Sequence, residues 1–161
     1  MANELAPVKD ELGQPIEEGI QVVAFKLLDE EYGFSILNVQ EIRNLTDITR
    51  VPFAADFIKG VINLRGSVLP VIDLKQRLGL GPAPYTEKTR IVTVTVEDVH
   101  VGMLVDAVTE VITIDSKPVD PKKAVNGREA NRFLSGIGNM DGRLIIMLNL
   151  EEIIGMPKEG K

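Results

Sequence analysis

The sequence predicts a mainly β protein built as two small barrels of about five strands each, with a few short helices and a shared hydrophobic centre. Three observations predict it. Short apolar runs rich in strand formers are cut by turn residues, Arg-Gly and Asp-Gly sit between pairs of such runs, and the same series of motifs occurs twice along 161 residues. At 44% apolar and 26% charged residues the chain has the composition of a globular domain that can bury a core without metal or disulfide support.

Residues 1–19 read as a flexible acidic tail, because Pro7, Gly13, Pro15 and Gly19 interrupt a charged stretch with no sustained apolar period. From Gln21 the run Val22-Val23-Ala24-Phe25-Lys26-Leu27-Leu28 is a strand ended by Asp29-Glu30-Glu31, and residues 32–36 form its hairpin partner. That partner is expected to run into a short helical turn carrying Val39 and Ile42 at a spacing of three. Arg65-Gly66 then joins strands at 60–64 and 67–74, and Asp141-Gly142 joins strands at 136–140 and 143–150. Between them, residues 90–96 alternate Val92, Val94 and Val96 with Thr93 and Thr95, the pattern of a half-buried strand.

The two halves align without gaps. Residues 57–79 match 133–155 at an offset of 76, with Phe57/Phe133, Gly60/Gly136, Asn63/Asn139, Gly66/Gly142, Leu74/Leu150 and Gly79/Gly155 identical. Residues 22–42 match 91–111 at an offset of 69, with Val23/Val92, Asp29/Asp98, Gly33/Gly102, Val39/Val108 and Glu41/Glu110 identical. The offsets differ by seven, which places a long loop between about 112 and 132. The expected organisation is one domain over 20–157, with a first repeat at about 20–80, a break at Gly81-Pro82-Ala83-Pro84, a second repeat at about 88–155, and room for the chain to cross between barrels. Units of about 60 residues close a compact barrel more readily than a roomy ligand-holding one.

Composition argues against most chemistry. With no Cys and a single His100, thiol nucleophiles, Cys-ligated metals and multi-His sites are excluded. His100 follows Glu97-Asp98 and reads as a solvent-facing residue near a turn, while Asp73, Asp98, Asp106 and Glu110 have no spacing that forces any two together. The net charge is −6, most of it in the tail, and aromatic residues are few, so nucleic acid is an unfavoured partner. No apolar run reaches the length of a membrane span, and no cofactor motif is complete.

Two stretches stand out, 32–43 and 57–74, in which apolar residues suited equally to a core or to a partner surface accompany Arg65 at a hairpin tip. Together they closely resemble the CheW-like family of bacterial chemotaxis coupling proteins. The resemblance rests on Glu30-Glu31-Tyr32-Gly33, Asn38-Val39-Gln40-Glu41-Ile42, Ile48-Thr49-Arg50-Val51-Pro52, Phe57-Ile58-Lys59-Gly60 and Asn63-Leu64-Arg65-Gly66 with Pro70 and Asp73-Leu74, and it covers about 21–155.

The resemblance implies an SH3-like pair of five-stranded barrels and a non-catalytic, cytoplasmic adaptor without cofactor, monomeric when free. Such an adaptor joins the histidine kinase CheA, through its CheW-like regulatory domain, to the cytoplasmic tips of methyl-accepting chemoreceptors in signalling arrays. By the same resemblance Asn38, Val39, Glu41, Ile42, Gly60 and Arg65 are the expected receptor-binding residues, and no motif marks the kinase-binding ones. A CheV-like adaptor lacking its receiver and a small ligand-binding or hydrolytic β-barrel are the alternatives.

Overall fold

The computed structural model describes residues 20–81, 84–114, 133–140 and 142–155. The first repeat forms β1 (Ile20–Leu27), β2 (Glu30–Ser35), a 3₁₀ turn (Ile36–Asn38), β3 (Val39–Asn44), β4 (Ile58–Leu64), β5 (Ser67–Asp73) and the short helix α1 (Leu74–Arg77). The second forms β6 (Arg90–Val96), β7 (Val99–Val105), β8 (Ala107–Ile114), β9 (Leu134–Met140), β10 (Arg143–Leu148) and helix α2 (Leu150–Ile154). The expected tail at 1–19, most of the loop expected at 112–132, and Pro82-Ala83 of the expected break lie outside the described residues.

Local chemistry explains why the repeats recur as structure. Arg65 and Gly66 have φ of 53° and 86°, the two positive values of a type I′ hairpin, and Asn63 Oδ1 accepts from Gly66 N at 3.1 Å. In the second repeat Asn139 Oδ1 accepts from Gly142 N at 3.0 Å. Each repeat then ends in a capped helix. Asp73 Oδ1 accepts from Lys75 N, and Asn149 Oδ1 from Glu152 N, at 3.1 and 3.2 Å. Both cap residues also donate backwards, Asp73 N to Phe57 O and Asn149 N to Phe133 O, at 2.8 and 2.7 Å.

The strands do not sort by repeat. Sheet one runs β8-β1-β2-β10-β9 and sheet two β3-β6-β7-β5-β4. Exchanging each strand for its repeat counterpart turns one order into the other, so a pseudo-two-fold relates the sheets. The register obeys it as well, since Val23 faces Val111 in sheet one while Val92 faces Ile42 in sheet two. Each sheet thus takes its first hairpin from one repeat and three strands from the other. The chain crosses at the 3₁₀ turn and again at Asp106, and the parallel pairs β2/β10 and β5/β7 seal the exchange.

Three apolar clusters fill this frame. Val22, Ala24, Ile112, Ile114 and Ile145 pack inside sheet one, and Ile62, Leu69, Val71, Ile91 and Leu104 inside sheet two. Between the sheets lies the largest cluster, with Phe25, Phe34, Leu74, Val92, Val94, Met103 and Ile153 fully buried. Strand β6 therefore differs from the half-buried expectation. Val92, Val94 and Val96 face the central cluster, but Ile91 and Thr93 are also fully buried because the other face lines the interior of sheet two.

Polar groups tie the halves together across this core. Arg77 lies between the rings of Phe57 and Phe133, at 4.0 and 4.9 Å from their centroids, and donates to Ile153 O and Glu152 O at the end of α2. Lys75, only 3% exposed, pairs with Asp106. The second carboxylate oxygen of Asp106 accepts from Leu28 N at 2.7 Å, while Asp106 N donates to Lys26 O at 3.0 Å. The crossover from β7 to β8 is thereby fastened to α1 and to the β1–β2 turn.

Candidate functional site

The expected site gathers on the β3 edge of sheet two. No helical turn carries Val39 and Ile42; the 3₁₀ turn ends at Asn38 and both residues belong to β3. A bulge at Gln40 produces the spacing of three instead. Val39 pairs with Val94 and Ile42 with Val92, so one extra residue returns Val39 and Ile42 to the same face of the sheet. Val39 packs against the central cluster, whereas Ile42 extends past it and is 41% exposed.

Glu41 points to the other face, toward the mouth of sheet two, where it meets the β4–β5 hairpin. Arg65 Nη1 donates to Glu41 Oε2 at 2.6 Å and Nη2 to Oε1 at 3.1 Å, a two-pronged pair spanning the gap between the sheet's edge strands. Arg43 adds a longer contact to Glu41 at 3.4 Å. The Arg65 guanidinium holds the Glu41 carboxyl below its ordinary range, and Glu41 in turn raises Arg65. The Arg65 side chain remains 71% exposed, so its charge is both fixed in place and open to a partner.

Gly60 explains how this mouth is closed. Beyond β3 the chain returns to β4, and Thr49 bridges Val61 through Thr49 N to Val61 O at 2.9 Å and Val61 N to Thr49 O at 2.8 Å. Gly60 has φ of 155°, and a Cβ there would stand 2.7 Å from the Thr49 carbonyl carbon and 2.8 Å from Ile48 Cγ2. Only glycine lets the two edges approach this closely.

Sheet one carries a counterpart. Glu110, the repeat equivalent of Glu41, accepts from Arg143 Nη1 at 2.6 Å, and Glu31 accepts from Arg143 Nε and Nη2 at 3.1 and 2.7 Å. Both edges of the guanidinium are occupied here, unlike those of Arg65. The hydrogen bond from Arg143 holds Glu31 below its ordinary value of 4.5. Since Glu31 and Glu41 both have lowered folded values, their contribution is complete above about 4.5 and is lost as pH falls through those lower values. Urea midpoints at fixed salt are therefore expected to hold between pH 7 and 5 and to fall below pH 4.5; Glu31→Gln should flatten the acid limb, and an unchanged limb would deny the pair this role.

Of the expected residues the structure brings Glu41 and Arg65 into contact, sets Ile42 next to Glu41 along β3 but on the opposite face, and places Gly60 beside the Thr49–Val61 bridge. Asn38 stands apart, its amide donating to Thr95 O at 3.1 Å at the entrance to β3. Two exposed or half-exposed residues of the same run were passed over by the sequence reading. Arg43 shares Glu41, and Leu37 is 92% exposed at the tip of the 3₁₀ turn. Their only signal was position within the run 36–43. Three of the four carboxylates considered for acid–base work have other duties. Asp73 caps α1, Asp106 pairs with Lys75 and Glu110 with Arg143. His100 is an exposed residue of β7 whose Nδ1 lies 2.9 Å from Thr95 Oγ1.

Comparison with known proteins matches residues 21–158 to the CheW-like domain. The chain is 38% identical over 133 residues to a probable chemotaxis protein CheW of Rhizobium etli, covering 83% of this chain and 86% of that protein. It is 37% identical over 138 residues to the chemotaxis protein CheW of Helicobacter pylori, covering 86% and 83%. Among solved structures, the scaffolding protein TtCheW from Thermoanaerobacter tengcongensis superimposes with a TM-score of 0.77 at 37% identity, covering 89% of this chain and 96% of that one.

Proposed function

Because this chain belongs to the CheW-like family, we propose that it is a non-catalytic chemotaxis adaptor that couples the histidine kinase CheA to the cytoplasmic tips of methyl-accepting chemoreceptors. The observation that supports the receptor side is the Glu41–Arg65 pair on one face of β3 with half-exposed Ile42 on the other, so that a single strand edge offers one cationic and one apolar contact. A receptor helix presenting an apolar stripe with an acceptor at its rim fits such an edge. Asn38 and Val39 fix where β3 begins, Gly60 fixes how closely β4 approaches, and Glu41 positions Arg65. The working unit is residues 20–157, the acidic segment 1–19 serves solubility, and the free protein is a cytoplasmic monomer recruited to receptor arrays.

The test is titration of the purified protein with a receptor-tip fragment. Arg65→Ala should weaken receptor binding at least about tenfold, roughly 1.4 kcal/mol, while unfolding stability stays within about 0.5 kcal/mol because the side chain is largely exposed. Equal loss of folding and binding would make Arg65 a structural residue and remove this support.

A further inference from the structure

Both sheets carry a bulge at the same place in the repeat, and a threonine hydroxyl pins each one, but from opposite strands. In sheet one Ala24 faces Glu110 and Phe25 faces Val108, so Thr109 is the extra residue, and its Oγ1 donates to Ala24 O at 3.0 Å. In sheet two Val39 faces Val94 and Glu41 faces Thr93, so the extra residue is Gln40, the equivalent of Thr109 by the offset of 69. Gln40 has no hydroxyl to give. Thr93, the equivalent of Ala24, supplies one from the strand opposite: its Oγ1 accepts from Glu41 N at 3.1 Å and donates to Glu41 O at 3.3 Å. A hydroxyl can do both at once, and the two bonds hold the main chain of the residue that follows the bulge. Thr93 is fully buried in the interior of sheet two, where a hydroxyl is costly unless it is hydrogen-bonded, and the Glu41 backbone satisfies it.

The bulge decides what the strand edge presents. A regular ladder continued from the Val39–Val94 pair would set Glu41 opposite Val92 and Ile42 opposite Ile91, turning Glu41 toward the central cluster and away from Arg65. With the bulge held, Glu41 stands opposite Thr93 on the interior face, where Arg65 meets its carboxylate.

We infer that Thr93 is the positioning residue of the receptor-binding edge: its hydroxyl holds the β3 bulge in register and thereby aims the Glu41–Arg65 pair. At 0% exposure Thr93 touches no partner and acts through Glu41. The inference rests on the adaptor reading and gives the site of that reading the residue that fixes its shape.

Thr93→Val and Thr93→Ser separate the hydroxyl from the volume it occupies. Thr93→Val keeps the shape and removes both bonds, so receptor-tip binding should weaken about fivefold or more, whereas Thr93→Ser should stay within about twofold of wild type. Because the loss passes through the ion pair, Thr93→Val added to Arg65→Ala should cost less than about twofold beyond Arg65→Ala alone. The Glu41 carboxyl, followed by carboxyl-carbon NMR, should titrate higher in Thr93→Val than in wild type as its contact with Arg65 loosens, a change that a general loss of stability does not produce. If Thr93→Val does not fold, Thr93→Ala with Gln40→Thr copies the sheet-one arrangement, and it should fold, bind the tip and keep the low Glu41 titration. Unchanged tip binding in Thr93→Val, an equal loss in Thr93→Ser, an unmoved Glu41 titration, or a folded double variant with weakened tip binding overturns the assignment. Wild-type protein that binds no receptor tip overturns the adaptor reading alone, and the Glu41 titration then still decides what Thr93 does.

Discussion

Asp106→Ala is expected to destabilise the fold by about 3–5 kcal/mol, the effect of leaving a buried charge without its partner. Lys75 is 3% exposed and, among the described residues, its ammonium pairs with one carboxylate, so the variant strands a cation between α1 and the crossover. The same change also frees Leu28 N, which loses its acceptor at the β1–β2 turn. Lys75→Met should cost less than Asp106→Ala, because the remaining carboxylate keeps the Leu28 bond and its side chain is 26% exposed. Adding Lys75→Met to Asp106→Ala should recover part of the loss, since no charge is then left buried. Urea unfolding of the three variants decides it. A cost below about 1 kcal/mol for Asp106→Ala would mean that water reaches Lys75 freely.

Gly60→Ala is expected to cost about 2–4 kcal/mol, combining an unfavourable backbone conformation with overlap against the Thr49 carbonyl. Because the overlap is with backbone, no side-chain rotation relieves it, and the Thr49–Val61 bridge must open. Gly66→Ala is the control. It also has positive φ, but nothing lies within 4 Å of a Cβ there, so only the conformational cost of about 1–2 kcal/mol applies. Similar unfolding midpoints for the two variants would show that the seam tolerates widening. Exchange of the Val61 amide with deuterium should quicken in Gly60→Ala and stay slow in Gly66→Ala.

Much of this was readable from residue order, because the hairpins are determined locally. Asn63 to Gly66 and Asn139 to Gly142 specify their turns through their own side chains, and Asp73 and Asn149 cap the helices that follow them. The repeat could be seen because it preserves those local devices. Its consequence could not: offsets of 69 and 76 say which residues correspond, not which strands pair, and the exchange of hairpins between sheets depends on contacts far apart in sequence. The β3 edge was legible as a set of residues but not as a geometry. A spacing of three reads as a helical turn, and a bulge in a strand yields the same spacing without changing a residue. The Lys75–Asp106 clasp left no trace, since a single Lys and a single Asp 31 residues apart carry no sign of pairing until the fold closes over them.

The interleaving of the repeats also bears on how the protein is made. As the chain leaves the ribosome, β1 and β2 emerge first, but their outer neighbours β8 and β10 belong to the far end of the chain; Glu31 waits for Arg143, 112 residues later. Sheet two has all of its strands once β7 ends at Val105, but sheet one waits for β10 at Arg143–Leu148, and the β1–β2 hairpin spends that interval without its outer neighbours. A protein of this size would ordinarily be free to fold one unit behind the other. Here the sheet that holds the first hairpin is the last to be completed, because β1 and β2 pair with β8 and β10 of the second repeat.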